Sequence, residues 1–185
     1  MDVSLSREQI VALAFAAVAV FWILGAYNRL LALRNAVIQA WVKVDEALQQ
    51  RRRAADALLA GLREPLAAEQ GALDAMQAAL TEAGAAAQRM GAKPLLPAHA
   101  SAWLAAEAPL AAASSRVFAL LEHSADAEAL AEPKAQAAAW READARLSFA
   151  RQLFNETARS YDEAIALLPT RLIAPAFGFT AAGRI

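Results

Sequence analysis

Residues 10–27 read IVALAFAAVAVFWILGAY, 18 residues without one charged side chain. At the helical rise of about 1.5 Å per residue they reach roughly 27 Å, close to the ~30 Å hydrocarbon slab of a bilayer. The stretch predicts a transmembrane anchor carried by Ile10, Leu13, Phe15, Phe21, Trp22, Ile23, Leu24 and Tyr27. A cleaved leader fits less well, because Asp2 and Glu8 offset Arg7 and the core ends in Gly25-Ala26-Tyr27-Asn28-Arg29 rather than at a small-x-small site. A buried core helix would need apolar neighbours on every side, and the chain downstream is amphipathic.

The flanks set the expected orientation. Arg7 is the only base before the run, whereas Arg29, Arg34 and Lys43 follow it and Arg51, Arg52 and Arg53 come a few turns later. Positive charge stays on the cytoplasmic side, so the bulk of the chain is expected in the cytoplasm, held by one pass through the inner (cell) membrane. Trp22 and Tyr27 suit the headgroup level, where aromatic rings gather.

Composition says what kind of body follows. Gly and Pro are scarce, at seven each in 185 residues, and Ala dominates nearly every segment, which favours helix throughout. The 158 residues after Tyr27 suffice for one domain with a real core. A net charge of −1 supplies no field to recruit nucleic acid, and the basic run Arg51–Arg53 sits among Gln and Asp as on a solvated helix face. With no cysteine, disulfides, thiolate metal sites and cysteine nucleophiles are excluded.

Heptad spacing then divides the chain. Val37, Trp41, Val44, Leu48, Ala55, Leu58 and Leu62 draw a seam along a first helix that continues directly from the span, bent at most near Gly25. Gly61 and Pro65 mark its end. Leu66, Leu73, Met76, Leu80, Ala83, Ala87 and Met90 give a second seam up to the turn Gly91-Ala92-Lys93-Pro94. Pro97 suits a helix start, Ser101 could cap, and Pro109 predicts a break or kink before Val117, Leu120 and Leu121. Ser124-Ala125-Asp126 and Glu132-Pro133 punctuate again. The last helix carries Leu147, Phe154, Tyr161 and Leu168 at strict sevens, with Ala143, Ala150, Ala158 and Ile165 between them and Pro169 as its stop. The expected fold is all-α: an N-terminal transmembrane helix continuing into an antiparallel four-helix bundle, coiled-coil-like in its seams. The expected divisions are a flank at 1–9, the anchor at 10–27, the bundle at 28–170 and an apolar tail at 171–185.

The same segments offer few residues for chemistry. His99 and His123 are isolated and read as surface or loop residues; no H-x-x-x-H spacing places two ligands on one face. Asp45, Glu46, Asp56, Glu142 and Asp144 could meet as carboxylates, but the Glu-x-x-His partners of di-metal bundles are missing. No phosphate loop, dinucleotide fingerprint or nucleophile elbow occurs. Asn28, Asn35 and Asn155 read as register-fixing polar residues in the seams, and Arg34 and Arg151 either pair with acids inside the bundle or lie on a solvated face.

Two stretches carry a family resemblance. Tyr27-Asn28-Arg29-Leu30, Leu33-Arg34-Asn35, Trp41 and Val44-Asp45 resemble the start of LemA family proteins. Arg151, Phe154-Asn155, Tyr161, Pro169, Leu172-Ile173-Ala174 and Phe177-Gly178-Phe179 resemble that family's C-terminal end. The chain departs from the pattern around Asp56-Ala57, at Phe154-Asn155 and Tyr161-Asp162, and near His123-Ser124-Ala125, as a divergent member would. The resemblance implies an anchored long-helix bundle without known enzymatic activity and associated with the cell envelope. No catalytic residue, cofactor or metal is therefore expected.

The function expected is that of a membrane-anchored scaffold or interaction protein, with the lipid bilayer and an unidentified protein as partners and a homo-oligomer as an option. A small-ligand or lipid-binding helical module is the alternative. The tail Leu172–Phe179 is expected beside Tyr27, with Phe177 and Phe179 either dipping into the interface or folding back to plug the bundle.

Overall fold

The computed structural model describes residues 6–124, 129–168 and 170–185. Every regular element among them is helical: α1 (Arg7–Leu62), α2 (Gln70–Ala92), α3 (Pro97–His123), α4 (Ala131–Ala166) and the single turn α5 (Thr170–Ile173). Short 3₁₀ turns at Ala67–Glu69 and Pro175–Phe177 complete the set. The expected stop at Pro169 and the punctuation at Ala125-Asp126 lie outside the described residues.

Helix α1 runs through the uncharged stretch and into the domain without interruption. A capping box opens it: Ser6 Oγ accepts from Gln9 N at 3.3 Å and Gln9 Oε1 accepts from Ser6 N at 2.9 Å. Pro65, which cannot continue a helix, stands three residues past its end. Within the uncharged stretch Ile10, Leu13, Phe15, Phe21, Trp22 and Leu24 are exposed, Ile23 and Tyr27 half-buried. Burial begins at Leu30 and then follows the seam, with Val37, Trp41, Val44, Ala55, Leu58 and Leu62 in the core and Leu48 half-buried.

Two helix pairs build the domain. Partners on α4 fall in number as those on α1 climb: Trp41 meets Phe154, Arg51 meets Asp144, and Gly61 lies against Pro133. Pro133 sits in the first turn of α4, where its missing N–H would have had no intrahelical acceptor. Likewise Glu69 at the start of α2 reaches Arg116 far along α3, while Ala86 and Met90 share a core with Ala100 and Trp103. Contacts within each pair are extensive, and those between the pairs are sparser. Two apolar cores result, one around Trp41, Trp103, Phe154 and Tyr161 near the base and one around Leu58, Met76, Leu110 and Trp140 at the far end.

Several local expectations need correction. Leu66 precedes its helix, which starts only at Gln70 after a 3₁₀ turn. Ser101 lies inside α3 and caps nothing, since the helix already begins at Pro97. Pro109 does not break α3: its ring is exposed, and burial of Trp103, Leu110, Val117 and Leu121 on both sides offsets the lost hydrogen bond. Leu168 does not extend the α4 seam. The helix ends at Ala166, so Leu168 leaves the repeat and is 73% exposed. Asn28 and Asn35 are both exposed and fix no register, because this face of α1 has no helix packed on it at their level. His99 is neither a loop nor a surface residue: it is half-buried in the first turn of α3, with Nδ1 buried and without a hydrogen-bond partner.

The packing assigns different costs to truncations along one helix. Phe154→Ala and Tyr161→Ala should each cost about 3–5 kcal/mol, as large buried side chains leave cavities. Leu168→Ala should stay within about 0.5 kcal/mol. Urea melts of a fragment starting at Asn28 check the contrast, and a loss at Leu168 equal to the other two would contradict the end of α4 at Ala166.

Candidate functional site

The most constrained polar group in the domain is Arg51. It belongs to the basic run that reads as solvated, yet it is only 6% exposed, whereas Arg52 is half-buried and Arg53 exposed. The reason is helical phase. Arg51 lies seven residues after Val44 and seven before Leu58, so the seam carries it inward.

Its guanidinium is met from two helices. Arg51 Nη1 and Nη2 donate to Glu107 Oε2 and Oε1 of α3 at 2.8 and 2.6 Å, a bidentate fork, and Nη1 also donates to Asp144 Oδ1 of α4 at 3.0 Å. Trp103 Nε1 donates to the same Glu107 Oε1 at 3.2 Å, and the Trp140 ring lies 5.5 Å from the guanidinium carbon. Burial by itself pulls the Arg51 pKa down, but Glu107 and Asp144 outweigh it and hold the value above the ordinary one. Both terminal nitrogens of the cation are thus held by carboxylates.

Below this network three aromatic rings join three helices. Trp41 of α1 stands edge-on to Trp103 of α3 at 5.6 Å and to Phe154 of α4 at 6.1 Å. Arg151 stacks on the outer side of Trp103 at 5.1 Å and forms no ion pair among the described residues. Two clefts flank the Arg51–Glu107 pair. One, of about 540 Å³, opens between α3 and α4 beside Phe118, Trp140 and Ser114; the other, of about 550 Å³, opens between α1 and α2 beside Gly84 and Ala87.

The other singled-out acids are held singly. Asp45 accepts from Gln49, Glu46 pairs with Lys43, Asp56 with Arg52, and Glu142 with Arg146, each within one helix. Among the described residues no three His, Cys, Asp or Glu side chains gather as a metal site would require.

The tail forms a strap across the base of the domain. Asn155 and Asp162 of α4 hold it: Asn155 Oδ1 accepts from Ile185 N at 2.8 Å, Asn155 Nδ2 donates to the Ile185 main-chain oxygen, and Asp162 Oδ1 accepts from Ala182 N at 2.8 Å. Arg184 adds an ion pair to Asp162 at 3.2 Å. On the other side Gly183 N donates to Leu95 O in the α2–α3 turn at 3.0 Å. Gly183 approaches so closely that a Cβ there would stand 2.7 Å from Pro97 Cα. Burial pushes the pKa of the Tyr161 phenol up, and this outweighs the opposing pull of the Arg34 charge and of the Thr180 backbone.

The family-motif residues therefore act at identifiable places. Leu30, Trp41, Val44, Phe154 and Tyr161 are core; Asn155 and Asp162 grip the strap. Gly178 adopts a φ of 71° to end the 3₁₀ turn, and Phe179 folds inward onto Tyr27 with centroids 5.8 Å apart. Phe177 instead stays half-exposed against Tyr27 at 5.2 Å. Arg34 is exposed, and its charge acts on Tyr161. Sequence reasoning missed Arg51 and Glu107; a single arginine at a seam position among apolar neighbours was the available signal.

A LemA family model matches residues 40–184, which takes in the seam of α1 from Trp41 onward, all of α2 to α4 and nearly all of the strap. No curated protein matches the chain. No solved structure matches it either.

Removing one partner of the buried pair should cost more than removing both. Glu107→Ala leaves the buried Arg51 with Asp144 as its remaining carboxylate and takes the acceptor from Trp103 Nε1, which should destabilise by about 1–3 kcal/mol, while Arg51→Met with Glu107→Leu should recover most of that loss. Thermal and urea melts of the set check it. A second test addresses the strap: Gly183→Ala forces Pro97 and Ala100 apart and should cost about 1–3 kcal/mol, as overpacking does.

Proposed function

The chain belongs to the LemA family, and from that premise we propose that it is a non-enzymatic scaffold or interaction protein anchored in the cell membrane. In this reading α1 crosses the inner membrane once and α1 to α4 form an antiparallel four-helix bundle on the cytoplasmic side, where another protein is the partner. The observation that carries the reading is the apolar window of α1, none of which is buried by the other described residues. That much contiguous apolar surface, at a length that matches the hydrocarbon slab, supports a bilayer as its cover. Helix α3 is also long and apolar enough to cross a membrane, but Trp103, Leu110, Val117 and Leu121 are spent on the cores and Glu107 on Arg51.

A partner surface finds support on α4. Phe149 and Leu153 are exposed on its outer face and border a shallow groove with Ala47, Lys43 and Glu46 of α1. Two large apolar residues within a charged rim resemble the core and edge of a protein interface. The ligand-binding alternative draws on the two clefts beside Arg51, yet the buried cation they share is already neutralised, which leaves little to orient a small molecule.

Carbonate extraction and crosslinking test the reading together. The chain should stay in the membrane pellet at alkaline pH, and a reporter fused after Ile185 should be active only in the cytoplasm. Crosslinking in native membranes followed by mass spectrometry should give one reproducible protein partner, lost in Phe149→Asp with Leu153→Asp while the pelleting persists. Release by carbonate would contradict the anchor, an external reporter the orientation, and crosslinks to the chain alone the separate partner.

A further inference from the structure

The base of the domain carries a second apolar surface. Where α4 ends, Leu167 is 55%, Leu168 73%, Leu172 74% and Phe177 49% exposed, while Ala174 and Phe179 from the same stretch are buried. The segment is amphipathic with its larger aliphatic side chains turned out. Such residues are usually spent on a core, and among the described residues these stay largely uncovered.

Their height follows from the α1–α4 register. Trp41 lies beside Phe154, Arg51 beside Asp144 and Gly61 beside Pro133, so each residue gained on α1 is one lost on α4. Carried down the pair, the last residue of α4, Ala166, comes level with Arg29, about 3 Å above Tyr27 along the helix. Leu167, Leu168 and α5 therefore lie level with Tyr27, where the uncharged stretch ends, and the ring contact of Phe177 with Tyr27 at 5.2 Å pins the segment there. Among the described side chains at this end, the charge left outside ion pairs is positive. Arg29, Arg34 and Arg171 are all exposed, and none forms an ion pair among the described residues, whereas Asp162 and Glu163 nearby are taken by Arg184 and Arg159.

We propose that Leu167, Leu168, Leu172 and Phe177 form a membrane foot, seated at headgroup depth in the bilayer that α1 crosses, with Arg29, Arg34 and Arg171 binding anionic lipid. The proposal rests on the reading of α1 as a span. Apolar side chains lying in the interface with cationic neighbours bind bilayers through buried area and through attraction to anionic headgroups. The foot fixes the domain against the membrane at a second point, and so limits rotation about α1. It also joins the strap to the bilayer, since Ala174 and Phe179 lead from the foot directly into the core.

The absence of native cysteine makes a depth measurement direct. Leu172→Cys, Phe15→Cys and Ala78→Cys, each in the full-length chain, carry a spin label in nanodiscs of phosphatidylcholine with phosphatidylglycerol. Collision with oxygen and with an aqueous nickel complex then reports the surroundings of each label. The foot predicts nickel access at Leu172→Cys lower than at Ala78→Cys by about threefold or more, with oxygen access raised, as at an interfacial site. Nickel access should increase at Leu172→Cys when phosphatidylglycerol is omitted. An aqueous signal at Leu172→Cys beside a lipid signal at Phe15→Cys would overturn the foot and leave the anchor standing. An aqueous signal at Phe15→Cys would remove the anchor and the foot with it. Protection of Leu172→Cys from both reagents would overturn the lipid assignment in favour of a protein cover, and equal depth in both lipid mixtures would overturn the anionic ligand.

Discussion

The fork between Arg51 and Glu107 ties the two helix pairs together. Within each pair apolar seams do the holding, and seams of Leu and Ala are permissive about register and rotation. Between the pairs contact is sparser, so one directional interaction there has disproportionate effect. A bidentate arginine–carboxylate contact fixes distance and orientation at once, and Asp144 brings α4 to the same cation. The net stability of such a buried pair is small because desolvation opposes it. Its contribution is to exclude other arrangements: sliding α3 along α1 would leave both charges buried and apart.

The strap is the complement of that brace. Near the base the pairs share the Trp41, Trp103 and Phe154 cluster, and the last residues lie across both, bonded to α4 through Asn155 and Asp162 and to the α2–α3 turn through Gly183. Only glycine permits the approach to Pro97, and the Asn155 amide offers a donor and an acceptor on separate atoms to one main-chain residue. These two requirements explain why a tail that looks merely apolar is fixed at Gly183 and by Asn155 and Asp162 of α4.

Much of this was legible in the chain, and the illegible part has a common cause. Periodicity places Val37, Trp41, Val44, Met76, Leu147, Phe154 and Tyr161 in cores, because a seven-residue repeat reports on the helix that carries it. It says nothing about which helix lies opposite. Asn28 and Asn35 look like seam residues by spacing and are exposed because no partner reaches them; Arg51 looks like part of a charged run and is buried because Glu107, 56 residues away, receives it. Pro109 shows the converse, a strong local signal overruled by tertiary burial on both sides of it. The grip of Asn155 on Ile185 was likewise out of reach, since a hydrogen bond to main chain leaves no trace in the partner's identity.

The unbroken α1 gives these ties a direction. Fifty-six residues of helix extend about 84 Å, so the same rigid element that passes through the apolar stretch also presents Arg51 to the brace and Leu62 to the far core. A flexible hinge after Tyr27 would let the domain reorient freely against the apolar stretch; a continuous helix does not, and any tilt of that stretch is a tilt of the whole α1–α4 pair. The α2–α3 pair follows through the brace, the strap and the apolar cores that the two pairs share. The strap lies at the base, where the exposed Leu172 and Phe177 adjoin it, so polar ties at two levels add direction to apolar contacts that are sparser between the pairs than within them.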